Sequence, residues 1–197
     1  VISDDFKLNE NTNKNSKKSN FFELDNLNTK NDFIKARAET DSSALKKKFS
    51  DEIIYKKNLP LNSSCKLLYS IAEKIRYESL GCQMLKGIEK NLKDNYTKII
   101  SIKRKDQLRN KEDVPINEAF ELYMLKKFHN LELNELTNKM LNFWEDDFDK
   151  SINEHIKFLK DNLENQSNYS SKFSEILQKM DIFQNEDNEK TEEENQN

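Results

Sequence analysis

Turn-forming residues are nearly absent from this chain. Two glycines and two prolines among 197 residues supply too few tight turns for a sheet-rich fold with many hairpins. Leu, Lys, Glu and Ile are plentiful instead, and these favour helices. No run of 18 apolar residues occurs, so no stretch reads as a membrane span. The opening "VISDDFKLNE" has no basic region followed by an apolar core and does not read as a secretion signal. A first residue of Val carries the expectation of a fragment. Cys65 and Cys82 are the only cysteines, with no second pair and no histidine at ligand spacing. They predict two buried thiols in a reducing, cytoplasmic setting. Asn is abundant, and composition alone assigns it no function.

What remains is a helical pattern. Residues 1–30 are polar and aperiodic apart from a short "FFEL", and they read as a flexible arm. A short element is expected around Phe33 to Ala38, broken by Asp41, Ser42 and Ser43, then a helix-like or strand-like piece that Pro60 ends. From a cap at Ser63 or Ser64, one long helix is expected to carry the stripe Leu68, Ile71, Ile75, Cys82, Leu85, Leu92 and Tyr96. Another starts near Pro115 and runs toward Phe128. A third spans Leu136 to Leu163 with a break near Glu145 to Asp149, and a last one runs from about Tyr169 to Met180. The expected fold is all-α, a bundle of about four to six amphipathic helices over residues 31–184. The tail "NEDNEKTEEENQN", with six acids and one lysine, reads as the start of a solvated acidic linker over 185–197.

Catalytic parts are scarce. Gly81 and Gly87 sit in a helical pattern without a GxxxxGK[ST] loop, so they read as positions where another helix approaches closely. His129 and His155 lie in no HExxH-like spacing, and no Ser stands beside an obvious base. Glu73 and Arg76, three apart, share a helix face; Glu78 does not face Arg76. Two readings stay open: a solvated pair, or an Arg76 that reaches a carboxylate of a neighbouring helix such as Asp41 or Glu118. Residues 86–111 hold nine Lys or Arg against three acids, interleaved with Tyr96, Ile99, Ile100 and Ile102. Such a run can be a solvated connection, a docking surface for an acidic protein, or a nucleic-acid contact; the net acidic chain disfavours the last.

Order and spacing add a resemblance. "IAEKIRYESLGCQMLKGIEKNL" resembles a segment of the CobT subunit of aerobic, ATP-dependent cobaltochelatase through Glu73, Arg76, Glu78, Leu80, Gly81, Met84, Gly87, Asn91 and Leu92. "RAETDSSALKKKFSDEIIYKKNLP" is similar to the family upstream at Arg37, Asp41, Ser42, Ala44, Leu45, Asp51, Leu59 and Pro60. "DVPINEAF" follows through Asp113, Pro115, Glu118 and Ala119, then Leu141 and Trp144, then "NQSNYSSKFSEILQKMD". The likeness covers about residues 35–182 and is to the family's N-terminal region. Where the family tends to have two histidines, this chain has Ser50 and Tyr55, so a metal or proton role for those histidines is not carried over.

The resemblance implies a non-catalytic assembly region. In that family an acidic linker and an integrin-like domain follow, and the subunit forms rings with a AAA+ ATPase that drives a large corrin-binding subunit to insert cobalt into hydrogenobyrinic acid a,c-diamide. ATP with magnesium and cobalt are thereby implied for the full complex, and no cofactor for this segment. The residues implied for an interaction or inter-helix network are Arg37, Asp41, Asp51, Glu73, Arg76, Glu78, Gly81, Gly87, Asn91 and Trp144. The alternative is an unrelated helical module that binds protein or nucleic acid through residues 86–111.

Overall fold

The computed structural model describes residues 29–102 and 110–180, and the expectations for the arm, the acidic tail and the centre of the basic run lie outside them. The described residues form helices α1 (Lys30–Phe49), α2 (Glu52–Lys57), α3 (Ser63–Met84), α4 (Lys86–Ile102), α5 (Ile116–His129), α6 (Glu135–Asn142), α7 (Glu145–Ile152), α8 (Ile156–Asp161) and α9 (Gln166–Gln178), with no strand among them. Single 3-10 turns precede α5 and α8. The all-α bundle is the one the sequence implies.

α3 is the axis. It packs against α1, α4, α5 and α9, while α1 also lies on α4 and α2 on α9. Its stripe of Cys65, Leu68, Tyr69, Ala72 and Ile75 is buried, and so are the facing Phe120, Tyr123, Tyr169, Phe173 and Leu177. Edge-on ring pairs join Phe120 to Phe148 and to Phe173, at 5.5 and 6.0 Å between centroids. Aromatic rings prefer that geometry to a face-to-face sandwich.

Helix ends account for part of the asparagine. Asn62, Asn134 and Asn165 are N-caps whose side chains accept backbone N–H bonds at the starts of α3, α6 and α9. The cap of α3 is therefore Asn62, not Ser63 or Ser64. Asn130 closes α5 in a left-handed conformation at φ 49°, which Asn tolerates better than most residues. Thr29 and Asp32 form a reciprocal capping box on α1.

Three boundaries differ from expectation. The break expected near Glu145 to Asp149 falls instead at Phe143 and Trp144, since α7 is helical from Glu145, and a 3-10 turn at Asn153–His155 then parts α7 from α8. α1 runs unbroken through Asp41, Ser42 and Ser43, because Asn91 donates to the Asp41 carboxylate at 2.7 Å and Ser42 to that of Glu78 at 2.6 Å. Short polar side chains usually break helices by bonding their own backbone; at Asp41 and Ser42 tertiary partners engage them instead. The long second helix is in fact two, α3 and α4, parted by the single extended residue Leu85 at φ −139°. An unbroken helix from 63 to 102 would be about 60 Å long and would carry Leu92, Tyr96 and Ile100 away from the core. Folding back buries all three.

The two glycines have opposite surroundings. A Cβ on Gly81 would meet both Leu45 methyl carbons at 2.4 Å, whereas one on Gly87 would meet nothing within 4 Å. Close approach is thus the role of Gly81, and the same expectation for Gly87 is corrected: it lies on an open face of α4. Gly81→Ala is expected to cost about 1–3 kcal/mol through overpacking. Gly87→Ala should be neutral or stabilise by up to about 0.5–1 kcal/mol. Urea midpoints of the two variants check this; equal effects would contradict the assignment.

Candidate functional site

An arginine in a core needs partners for its N–H groups. Arg76 is 0% exposed. Its Nε and one Nη grip Glu73 side-on at 2.8 and 2.9 Å. The other Nη donates to the Leu163 carbonyl at 2.7 Å, and a further bond goes to the Phe49 carbonyl. Phe49 is the last residue of α1, where carbonyls lack helical partners and the helix dipole favours a cation. Leu163 lies in the link between α8 and α9.

Glu73 is satisfied in turn. Its Oε1 accepts from Ser50 Oγ at 2.7 Å and from Gln166 Nε2 at 3.0 Å. Gln166 also bonds the Asp51 backbone in both directions, accepting from N–H at 2.7 Å and donating to the carbonyl at 3.1 Å. The Asp51 side chain caps α2 through Ile53 and Ile54. One buried ion pair therefore ties together the end of α1, the start of α2, the middle of α3 and the start of α9. Both earlier readings of Arg76 are corrected. It is not solvated, and its charged partner is Glu73 on its own helix, with carbonyls of other segments in place of Asp41 or Glu118.

A second buried cluster lies further along α3. Each oxygen of Glu78 accepts one hydroxyl, from Ser42 and from Tyr96, both at 2.6 Å. Burial raises its pKa, opposed by the Lys74 charge and by the two hydroxyls. Burial, then the Glu78 charge, pushes the Tyr96 phenol well up. Beside it His129 Nε2 is 3.2 Å from Ser79 Oγ, which donates to the Ile75 carbonyl at 2.7 Å. His129 Nδ1 is 4.0 Å from Cys82 Sγ. Burial lowers the His129 pKa to about 4 and raises that of the half-buried Cys82 to about 12, so neither is a nucleophile or base poised for neutral pH. No group of three or more His, Cys, Asp or Glu among the described residues is arranged to hold a metal ion.

The residues singled out in the sequence divide accordingly. Asp41, Glu73, Arg76, Glu78, Gly81 and Asn91 come together along the seam of α1, α3 and α4, and Asp51 joins through its backbone. Arg37 is exposed on α1, 5.5 Å from the Phe33 ring. Gly87 faces open space. Trp144 is remote: its Nε1 donates to the Val114 carbonyl at 3.1 Å, and the Lys111 ammonium sits 4.2 Å from the ring centroid. Gln166, Ser50 and Tyr96 are network members whose role the sequence reading missed. Gln166 and Ser50 fall in segments that resemble the family, "NQSNYSSKFSEILQKMD" and "RAETDSSALKKKFSDEIIYKKNLP", while Tyr96 was read only as part of the apolar stripe.

The family model described as Cobalamin biosynthesis protein CobT matches residues 5–197. The chain belongs to the CobT family. Membership brings a role in cobalamin biosynthesis. Neither the curated proteins nor the solved structures compared contain a match. Ser50 supplies a hydrogen-bond donor to Glu73. Tyr55 packs on the Tyr69 ring at 5.0 Å between centroids and accepts the Tyr69 hydroxyl at its carbonyl.

Arg76→Ala, which leaves Glu73 buried without its cation, is expected to cost about 3–5 kcal/mol. Arg76→Lys should recover only part, since an ammonium lacks the planar fork that spans both carboxylate oxygens and two carbonyls. A denaturant series measures both; an Arg76→Ala loss under about 1 kcal/mol would refute the network. The two titrating groups act with opposite sign. His129 is depressed, so its contribution is complete above its unfolded value of 6.5 and is lost as pH falls toward about 4. Glu78 is raised, so its contribution is greatest at low pH and is lost as pH rises through its folded value. His129→Gln should flatten the acid-side fall in stability, and Glu78→Gln the loss on the neutral side, when urea midpoints are followed from pH 4 to 7.

Proposed function

We propose that this chain is a non-catalytic assembly region of an ATP-dependent cobaltochelatase subunit. It would hold a fixed surface against a AAA+ ATPase in the cytoplasm, within a ring that acts on a large corrin-binding subunit. Cobalt and the corrin are then substrates of the complete assembly, and ATP is the partner's.

One observation carries the reading. The charged residues at the family-distinctive positions of α3 are turned inward and bonded to other segments of the chain, which makes a rigid frame of them. Lysines 86, 90 and 93 are exposed on α4 and make no ion pair among the described residues. They lie three or four residues apart, on one face. A rigid helical frame with an unpaired cationic stripe suits docking to an acidic protein surface, with charge steering the encounter.

The test is a pull-down with light-scattering mass determination against the AAA+ partner, with and without ATP. Lys86→Glu/Lys90→Glu is the informative variant, since both side chains are on the surface and the fold does not depend on them. Co-assembly that this variant weakens by about tenfold or more, and that salt also weakens, supports the reading. A chain that stays monomeric with the partner overturns it. Salt-sensitive binding to generic RNA or DNA in place of the partner would assign the stripe to nucleic acid instead.

A further inference from the structure

Four lysines of this protein bridge to acids on other segments. Lys74 meets Glu121, Lys111 meets Asp147, Lys126 meets Glu145 and Lys127 meets Asp149. Lys93 on α4 and Lys160 on α8 form no ion pair among the described residues, and both border the same cleft of about 460 Å³. We propose that this cleft binds a small ligand whose carboxylate or phosphate sits between Lys93 and Lys160.

The surroundings agree with that chemistry. The cleft opens between the C-terminal half of α3, α4, the end of α5 and α8, and its volume is within the range of small-molecule sites. Leu131 and Leu163 give it an apolar lining, and Phe128 forms a wall. The Lys160 ammonium lies 5.7 Å from the centre of that phenyl ring, a cation–π contact that keeps it at the rim. The side-chain amides of Gln83 and Asn130 also line the cleft, as donors and acceptors for a ligand's remaining polar groups. Glu89 is the single acid. With His129 neutral, two ammonium groups against one carboxylate leave the cleft cationic, and an anion removes the imbalance. The floor is rigid because the Leu163 carbonyl accepts from Arg76 and Tyr96 donates to Glu78. Lys93 also belongs to the α4 stripe of the assembly reading, but Lys160 and the rest of the cleft do not, and small-anion binding is measured without the partner.

Citrate and inorganic phosphate, titrated into the full chain by calorimetry at low salt, are the probes. Saturable one-to-one binding of either is expected, weakened by about tenfold or more in Lys93→Gln/Lys160→Gln and by less than about twofold in Lys90→Gln. Lys90 is the control because it lies on the same helix outside the cleft. Preference for citrate assigns a carboxylate ligand, and preference for phosphate a phosphorylated one. Absence of saturable binding to both overturns the proposal. So does an equal loss in Lys90→Gln, which would mark general surface charge.

Discussion

A guanidinium cannot shed its charge inside a protein, so once Arg76 is buried every neighbouring segment must bring it an acceptor. Glu73 brings the counter-charge, the end of α1 at Phe49 brings a carbonyl without a helical partner, and the link between α8 and α9 brings the carbonyl of Leu163. Helix order follows from this. α1 has only Ala38 and Leu45 buried and little apolar surface with which to hold its place. Its position is fixed by polar contacts to α3 and α4 at three levels: Phe49 and Ser50 near Arg76 and Glu73, Ser42 at Glu78, and Asp41 at Asn91. Buried polar networks of this kind are stabilising only when complete, and here nearly every buried side-chain polar atom among the described residues has a partner, Ser170 Oγ being the exception.

Fold class was legible because period and punctuation agreed. The scarcity of glycine and proline, the 3.6-residue stripes, and Pro115 at the start of α5 all point to helices, and the pieces fall near the expected places. The α3–α4 break was not legible. Gly87 stands two residues beyond Leu85 but was read as a packing position, and the hydrophobic stripe passes through without a change of period; the need to cover Leu92 and Tyr96 decides that the chain turns there. Asp41 to Ser43 misled in the other direction, since local propensity reads them as a breaker while partners far along the chain hold them in helix.

The candidate site was legible in membership and illegible in geometry. Glu73 and Arg76 at i, i+3 are found in countless exposed helices, and nothing local distinguishes a pair worth a few tenths of a kcal/mol from one on which four segments converge. Collinear resemblance to the CobT family singled out these positions, and it also covered Gln166 without assigning it a role. Ser50 illustrates what such a resemblance cannot carry. The resemblance implied only that a histidine role is not carried over at Ser50; the structure shows instead that the Ser50 hydroxyl donates to Glu73 and so completes the network.

Leu85 has a consequence for how sequences of this kind can diverge. It is a hinge one residue long, and a residue inserted or deleted within α4 between it and Asn91 would turn the rest of that helix by about 100° about its own axis. Leu92, Tyr96 and Ile100 would then rotate out of the core together, and Asn91 away from Asp41. A change of length in the first turns of α4 therefore costs the packing of all four residues at once, whereas Leu85 itself, 42% exposed, has the looser surroundings. The junction therefore preserves helical phase while leaving residue identity open. What the fold constrains there is a count of residues, and a comparison that scores only letters passes over it.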